Sequence, residues 1–152
     1  RLHVFGRYSD DDARRVRQAG LENHIVFMGS VSYETSLRLM RAARSLLLLL
    51  PDGDSMATCV PSKLYPYLFA GRPVLAMVPP GDAARLVQES GVGDVVAPGD
   101  VESNADRVAA FVERVRRGEM VAESVRLHTA QQYSMQRIAQ RVHEILREVQ
   151  HA

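Results

Sequence analysis

Ser45-Leu46-Leu47-Leu48-Leu49-Leu50-Pro51 is the stretch on which the fold turns. A membrane-spanning helix needs about 20 apolar residues, and this run is far shorter. Consecutive apolar residues bounded by a serine and a proline fit a strand buried on both faces, the kind found in parallel sheets covered by helices. Leucine itself favours helix, so the neighbouring segments must decide.

They decide for strand. Upstream, Leu2 to Phe5 reads as a strand ending at Gly6, and His24 to Met28 as a second ending at Gly29. Between them Ser9 and the acidic Asp10, Asp11 and Asp12 mark a helix start, and Gly20 after Ala19 marks its stop. From Ser32 a helix carries Leu37, Met40 and Ala43 on one face, with Arg38, Arg41 and Arg44 largely on another. Downstream of the leucines, the loop Asp52 to Val60 leads to a helix from Pro61 or Ser62 to Ala70, stopped by Gly71. Pro73 to Val78 is the fourth strand, and a helix capped by Asp82 runs to Gly91. Asp94 to Ala97 is the fifth strand, and Asp100 opens a helix with Val108, Phe111, Val112 and Val115 on one stripe. Past Gly118 comes more helix, and from Ser134 the residues Met135, Ile138, Val142, Ile145, Leu146 and Val149 predict an amphipathic helix. The alternation predicts one α/β domain over residues 1–152. Its doubly wound, Rossmann-like parallel sheet has about five strands with helices on both faces. Residues 119–152 form a C-terminal helical extension.

The composition narrows the function classes. Nineteen Lys plus Arg against 18 Asp plus Glu leave a net charge of +1, so no global excess drives binding to nucleic acid. The single cysteine, Cys59, cannot form an internal disulfide, which suits a reducing compartment. Arg1 is not an initiator Met and runs directly into a strand without a signal-peptide pattern, as expected of a piece of something larger. Neither G-x-G-x-x-G after the first strand nor G-x-x-x-x-G-K-[ST] occurs, which lowers NAD enzymes and P-loop NTPases. The five histidines at 3, 24, 128, 143 and 151 show no zinc spacing.

Single residues admit two readings each. Cys59 is a nucleophile only if the fold brings it a base; otherwise it is a loop thiol. His3 and His24 flank strands and read more simply as structural histidines. Asp52 and Asp54 are acid-base candidates at a strand's carboxyl end, or ordinary turn residues. The segment Val60-Pro61-Ser62-Lys63-Leu64-Tyr65-Pro66-Tyr67-Leu68-Phe69-Ala70-Gly71-Arg72-Pro73-Val74-Leu75 says more. It sets a helix N-terminus beyond the carboxyl end of a buried strand, where open α/β sheets bind ligands. Free first-turn amides favour an anion there. Lys63 runs against the dipole's preference unless an anion sits beside it, the alternative being a lysine turned to water.

This segment resembles the nucleotide-sugar-binding helix of the GT-B glycosyltransferases of family 4, also called glycosyl transferase group 1. Pro61, Ser62, Lys63, Leu64, Tyr67, Leu68, Ala70 and Gly71 through Ala76 match the family's pattern in place. The resemblance extends along nearly the whole chain, through Leu2 to Gly6, Ile25 to Gly29, Ser45 to Pro51, Pro79 to Asp82, Gly91 to Gly93 and Pro98 to Asp100. It implies the C-terminal, donor-binding domain of a two-domain retaining enzyme that uses a nucleotide-diphosphate sugar and no metal or other cofactor.

Carried over residue by residue, the resemblance implies Ser62 and Lys63 at the diphosphate and Gly29 and Ser30 near the nucleobase. Gly6 and Arg7 border the same cleft, and Thr58 and Val60 line the donor loop. No catalytic residue is assigned. Two departures stand out. The family commonly has glutamates where this chain has Thr58 and Pro66, the second of them contacting the ribose, so that contact is weaker here or comes from elsewhere. The family's first strand and the whole acceptor domain precede Arg1, so the isolated chain is expected to transfer nothing.

The implied partners are a nucleotide sugar and an amino-terminal acceptor-binding domain. The implied setting is cytoplasmic, with peripheral association at the inner membrane face, and the acceptor is a glycan or a lipid-linked molecule of polysaccharide assembly. Arg126, Arg137, Arg141 and Arg147 would serve a lipid surface, although Glu144 and Glu148 interleave with them as in a solvated mixed face. An apolar strip around Ile145 and Val149 is expected to lie exposed or to be covered by a second copy. A GT-B nucleotide-sugar epimerase and a non-catalytic nucleotide-sugar-binding or interaction module stay open as alternatives.

Overall fold

The computed structural model describes residues 1–99, 101–120 and 134–150. It divides into two compact units, one of Arg1–Leu39 and one from Met40 onward.

In the first unit β1 (Leu2–Phe5) and β2 (Ile25–Gly29) pair in parallel, Leu2 against Ile25 and Val4 against Phe27, with an irregularity between Val4 and Phe5. Helix α1 (Asp10–Gln18) joins them, and its start is fixed by a reciprocal cap. The Ser9 hydroxyl oxygen accepts from the Asp12 amide at 3.1 Å while the Asp12 carboxylate accepts from the Ser9 amide at 2.8 Å. The Ser9 amide, and the Ser9 hydroxyl donating to the same carboxylate at 2.7 Å, hold the Asp12 carboxyl below the usual carboxylate range. Helix α2 (Tyr33–Ala42) opens with the Ser32 hydroxyl accepting from the Thr35 amide at 3.2 Å. No residue of this unit is buried; its strands are at best half-covered.

The second unit holds the core. Strands β3 (Leu46–Leu49), β4 (Val74–Met77) and β5 (Gly93–Val96) form a parallel sheet of that order, in register Leu48, Ala76 and Val95. On one face Leu46, Leu48, Val74 and Ala76 pack with Leu64 and Leu68 of α3 (Leu64–Ala70). Ala83, Ala84, Leu86 and Val87 of α4 (Asp82–Ser90) complete that layer. On the other face Leu75 and Val96 meet Phe111 of α5 (Val101–Arg116), flanked by Val108 and Val115. Helices therefore cover both faces, as a parallel sheet requires. The last described element is α6 (Met135–Gln150).

The five parallel strands agree with the sequence reading to within a residue or two, but they hydrogen-bond as a pair and a triple rather than as one sheet. Three details differ as well. Leu49 is 53% exposed, because the α5 side of the sheet is sealed over β4 and β5 and not at the far end of edge strand β3. Val112 is exposed, so the covered stripe of α5 is Val108, Phe111 and Val115. Asp82 is the first helical residue of α4, and Gly81 stands at the cap.

The expected apolar strip on α6 is present. Ile138, Val142, Leu146 and Val149 are 42–69% exposed. Arg126, most of the stretch after Gly118 and the Ile145 side chain lie outside what the structure describes. No described helix is long and apolar enough to cross a membrane.

Candidate functional site

In a parallel sheet the loops at the carboxyl ends of the strands carry the ligand-binding groups. In the first unit those ends are Gly6 and Gly29, and the structure brings them together: the Gly6 amide donates to the Gly29 carbonyl at 2.9 Å. Gly29 sits at φ 73°, a left-handed conformation that a Cβ would strain. Arg7 and Ser30, the residues that follow, are both exposed. Sequence reasoning missed the neighbour Tyr8, whose ring stacks on Phe27 with centroids 4.5 Å apart and planes at 22°. Only the fold could have shown that pair, since the two rings come from different elements.

In the second unit the chain leaves β3 at Leu50 and folds into a series of tight turns. Asp52 Oδ1 accepts from the Gly53 amide at 3.0 Å, the local turn contact that favours the simpler reading of this aspartate. A 3-10 turn spans Asp54–Met56, and the Cys59 amide donates to the Met56 carbonyl at 3.0 Å. Cys59 is a half-buried free thiol. Thr58 is exposed, whereas Val60 is half-buried against the core and acts first as the peg of the loop.

Ser62 and Lys63 are brought together, adjacent and exposed, just before α3. The helix itself begins at Leu64, later than the sequence suggested. The reason is a turn in which the Leu64 amide donates to the Pro61 carbonyl at 2.9 Å. Lys63 takes helical angles at the cap, φ −65° and ψ −20°, with no side-chain capping bond.

This corrects the expected start of the helix. The Leu64 amide is already used, Pro66 has no amide hydrogen, and a helix of 7 residues has a small dipole. The exposed side chains that the turn presents are the Ser62 hydroxyl and the Lys63 ammonium. Pro66 does not break α3, because it falls in the first turn, where amides lack intrahelical partners in any case. Beneath the segment, burial raises the Tyr67 phenol above its ordinary value. Its hydroxyl donates to the Leu47 carbonyl at 3.4 Å, a long contact.

An open groove of about 510 Å³ lies elsewhere in this unit, lined by Val78, Asp82, Arg85, Gln88, Val95 and Arg107 among others. None of the eight residues singled out from the sequence lines it. Its arginines are engaged, Arg85 with the Asp82 carboxylate at 2.8 Å and Arg107 with the Val95 carbonyl at 2.7 Å. Among the described residues no group of three or more His, Cys, Asp or Glu could hold a metal ion.

No protein-family model and no curated protein matches the chain. Solved structures do resemble it. Anabaena Alr3699/HepE in complex with UDP-glucose superposes with a TM-score of 0.71 at 19% identity, and the same protein in complex with UDP gives 0.67 at 20%. Each comparison covers 96% of this chain and 40% of the other, so the chain spans about two fifths of the length of these structures. At such identity the likeness is one of fold: an α/β domain of parallel strands and covering helices like that of HepE.

Proposed function

We propose that this chain is the nucleotide-sugar donor-binding domain of a retaining glycosyltransferase of the family 4 type, acting on a glycan or lipid-linked acceptor. The observation that carries the reading is the likeness over 96% of the chain to a protein solved with UDP and with UDP-glucose, HepE. The exposed Ser62 and Lys63, in the segment that follows the leucine strand β3, agree with it.

In this reading Lys63 neutralises the diphosphate as the glycosyl bond breaks, and the Ser62 hydroxyl donates to a phosphate oxygen. In the same reading Gly29 and Ser30 serve the nucleobase, Arg7 beside Gly6 pairs with phosphate, and Thr58 and Val60 belong to the donor loop. In this reading a preceding strand and an amino-terminal acceptor-binding domain belong to the same enzyme. The exposed strip of α6 offers a surface for that domain, and peripheral association at the cytoplasmic membrane face fits a lipid-linked acceptor.

Calorimetric titration of the chain with UDP, GDP and their sugars tests the reading. Binding of one diphosphate and its sugar is expected, without sugar transfer by the isolated chain. Silence towards all of them refutes it and leaves the non-catalytic interaction module.

A further inference from the structure

The loop that carries Thr58 through Lys63 is fastened from outside its own sequence. Asp82, the first residue of α4, donates its amide hydrogen to the Ala57 carbonyl at 2.7 Å. The approach is so close that a Cβ on Gly81 would stand 2.1 Å from that carbonyl oxygen and 2.6 Å from the Ala57 Cα. Real Cβ atoms do not come that near to backbone, so residue 81 must be glycine for the loop to lie where it does. On the other side of the contact Val60 is packed against the core and Leu64 is fully buried. Thr58, Cys59 and the turn at Ser62 and Lys63 are thus held between one hydrogen bond at Ala57 and two apolar anchors.

We propose that Gly81 and the Asp82 amide are positioning groups for the donor loop, fixing Thr58 to Lys63 so that Ser62 and Lys63 present a preorganised surface to a nucleoside diphosphate. The ligand half of this statement rests on the proposed function; the mechanical half does not. The first amide of α4 is thus spent on the loop. A ligand held by a few exposed polar groups depends on their being fixed before it arrives, since ordering the loop on binding would subtract from affinity.

The decisive comparison is Asp82→Pro against Asp82→Ala. Proline is accepted at the first helical position and keeps the helix, but it has no amide hydrogen and its ring occupies the place of the bond. Alanine keeps the amide and loses only the carboxylate that D82P loses too. Two readouts are taken at a temperature where circular dichroism shows both variants folded. The first is the rate at which an aromatic disulfide reagent modifies Cys59, the only thiol of the chain and a residue inside the tethered loop. The second is the dissociation constant for UDP.

D82P is expected to modify about tenfold faster than D82A and to bind UDP about tenfold more weakly, the scale of one hydrogen bond of ordinary strength. Leu86→Ala, which destabilises α4 from its buried face, controls for general loosening and is expected to leave the thiol rate near that of the unchanged chain. Equal thiol rates in D82P and D82A overturn the tether. Unequal rates with equal UDP affinity overturn its role in binding. If the unchanged chain binds no UDP, the functional reading fails, and the thiol rates alone decide whether the tether exists.

Discussion

Leu48 and Leu49 are adjacent, chemically identical and on the same strand, yet one is fully buried and the other is 53% exposed. Replacing each in turn with alanine separates burial from every other property of leucine. Leu48 sits in the cluster with Leu64, Leu68, Val74 and Ala76, opposite Ala76 in the sheet. The truncation removes apolar bulk worth roughly 0.8 kcal/mol per methylene, about 2.4 kcal/mol in all. The unfilled hole beneath α3 and α4 raises the total to about 3–4 kcal/mol. Leu49 gives back about half the transfer term, ~1 kcal/mol, and leaves no enclosed cavity because its outer side already faces water.

The two variants should therefore differ by about 2–3 kcal/mol. With a urea slope of about 2 kcal/mol per molar, their midpoints separate by about 1–1.5 M. The chain has no tryptophan, so far-UV circular dichroism is the suitable probe. Midpoints within about 0.3 M of each other, where the slope above converts to well under 1 kcal/mol, would refute the assignment of the α3 and α4 face as the main core. A larger loss for L49A would place the covered side of β3 on the opposite face.

Further expectations follow from single contacts. Gly93→Ala puts a Cβ 1.7 Å from the Val74 carbonyl oxygen; β4 and β5 must part, and a loss of at least about 1–3 kcal/mol should appear in the same urea titration, with wild-type stability counting against the register. Asp12 has its carboxyl lowered by the Ser9 bonds, so its contribution is full above the ordinary carboxylate range and is lost as pH falls through the lowered folded value. Asp12→Asn, which removes the titrating group, should flatten that acid limb in a pH series of helix content, and an unchanged limb would show that Asp12 does not carry it. Pro66→Glu supplies a carboxylate where the resembled family contacts ribose; calorimetry should show UDP binding tightened about tenfold, and no change would detach the segment from a donor site. Lys63→Ala should remove most of the preference for UDP over uridine, again about tenfold or more; an unaltered preference would return the anion to backbone amides.

The core was readable because its elements carry their own punctuation. Ser9 with Asp12 three residues on announces a capping box, and Gly71 and Gly91 stop their helices in left-handed conformations at φ 66° and 63°. Leu46 to Leu49 needed only its flanks to be read as strand. The start of α3 was misread because Pro61 and Ser62 look like a helix opening, whereas the Leu64 amide closes a turn onto Pro61 that no residue type advertises. The Tyr8–Phe27 stack and the bond from Asp82 to Ala57 were invisible for a related reason. Both join distant positions, and the second is a contact between backbone atoms, marked in the sequence by nothing more than the glycine after Pro79 and Pro80.

The later start of α3 changes what the candidate site can be. A helix beginning at Ser62 would offer several free amides and a dipole, a fixed arrangement that attracts an anion whatever the side chains are. The observed turn offers a hydroxyl and an ammonium on exposed side chains, whose pull in water is modest and screened by salt. Such groups discriminate only if the backbone beneath them does not move. Rigidity at Ala57 and at Leu64 therefore takes over part of the work that helix amides would have done. Affinity for a diphosphate should then fall with loosening of the loop as well as with loss of Lys63. Under the proposed function, glycine at position 81 is then as much a requirement as the lysine itself.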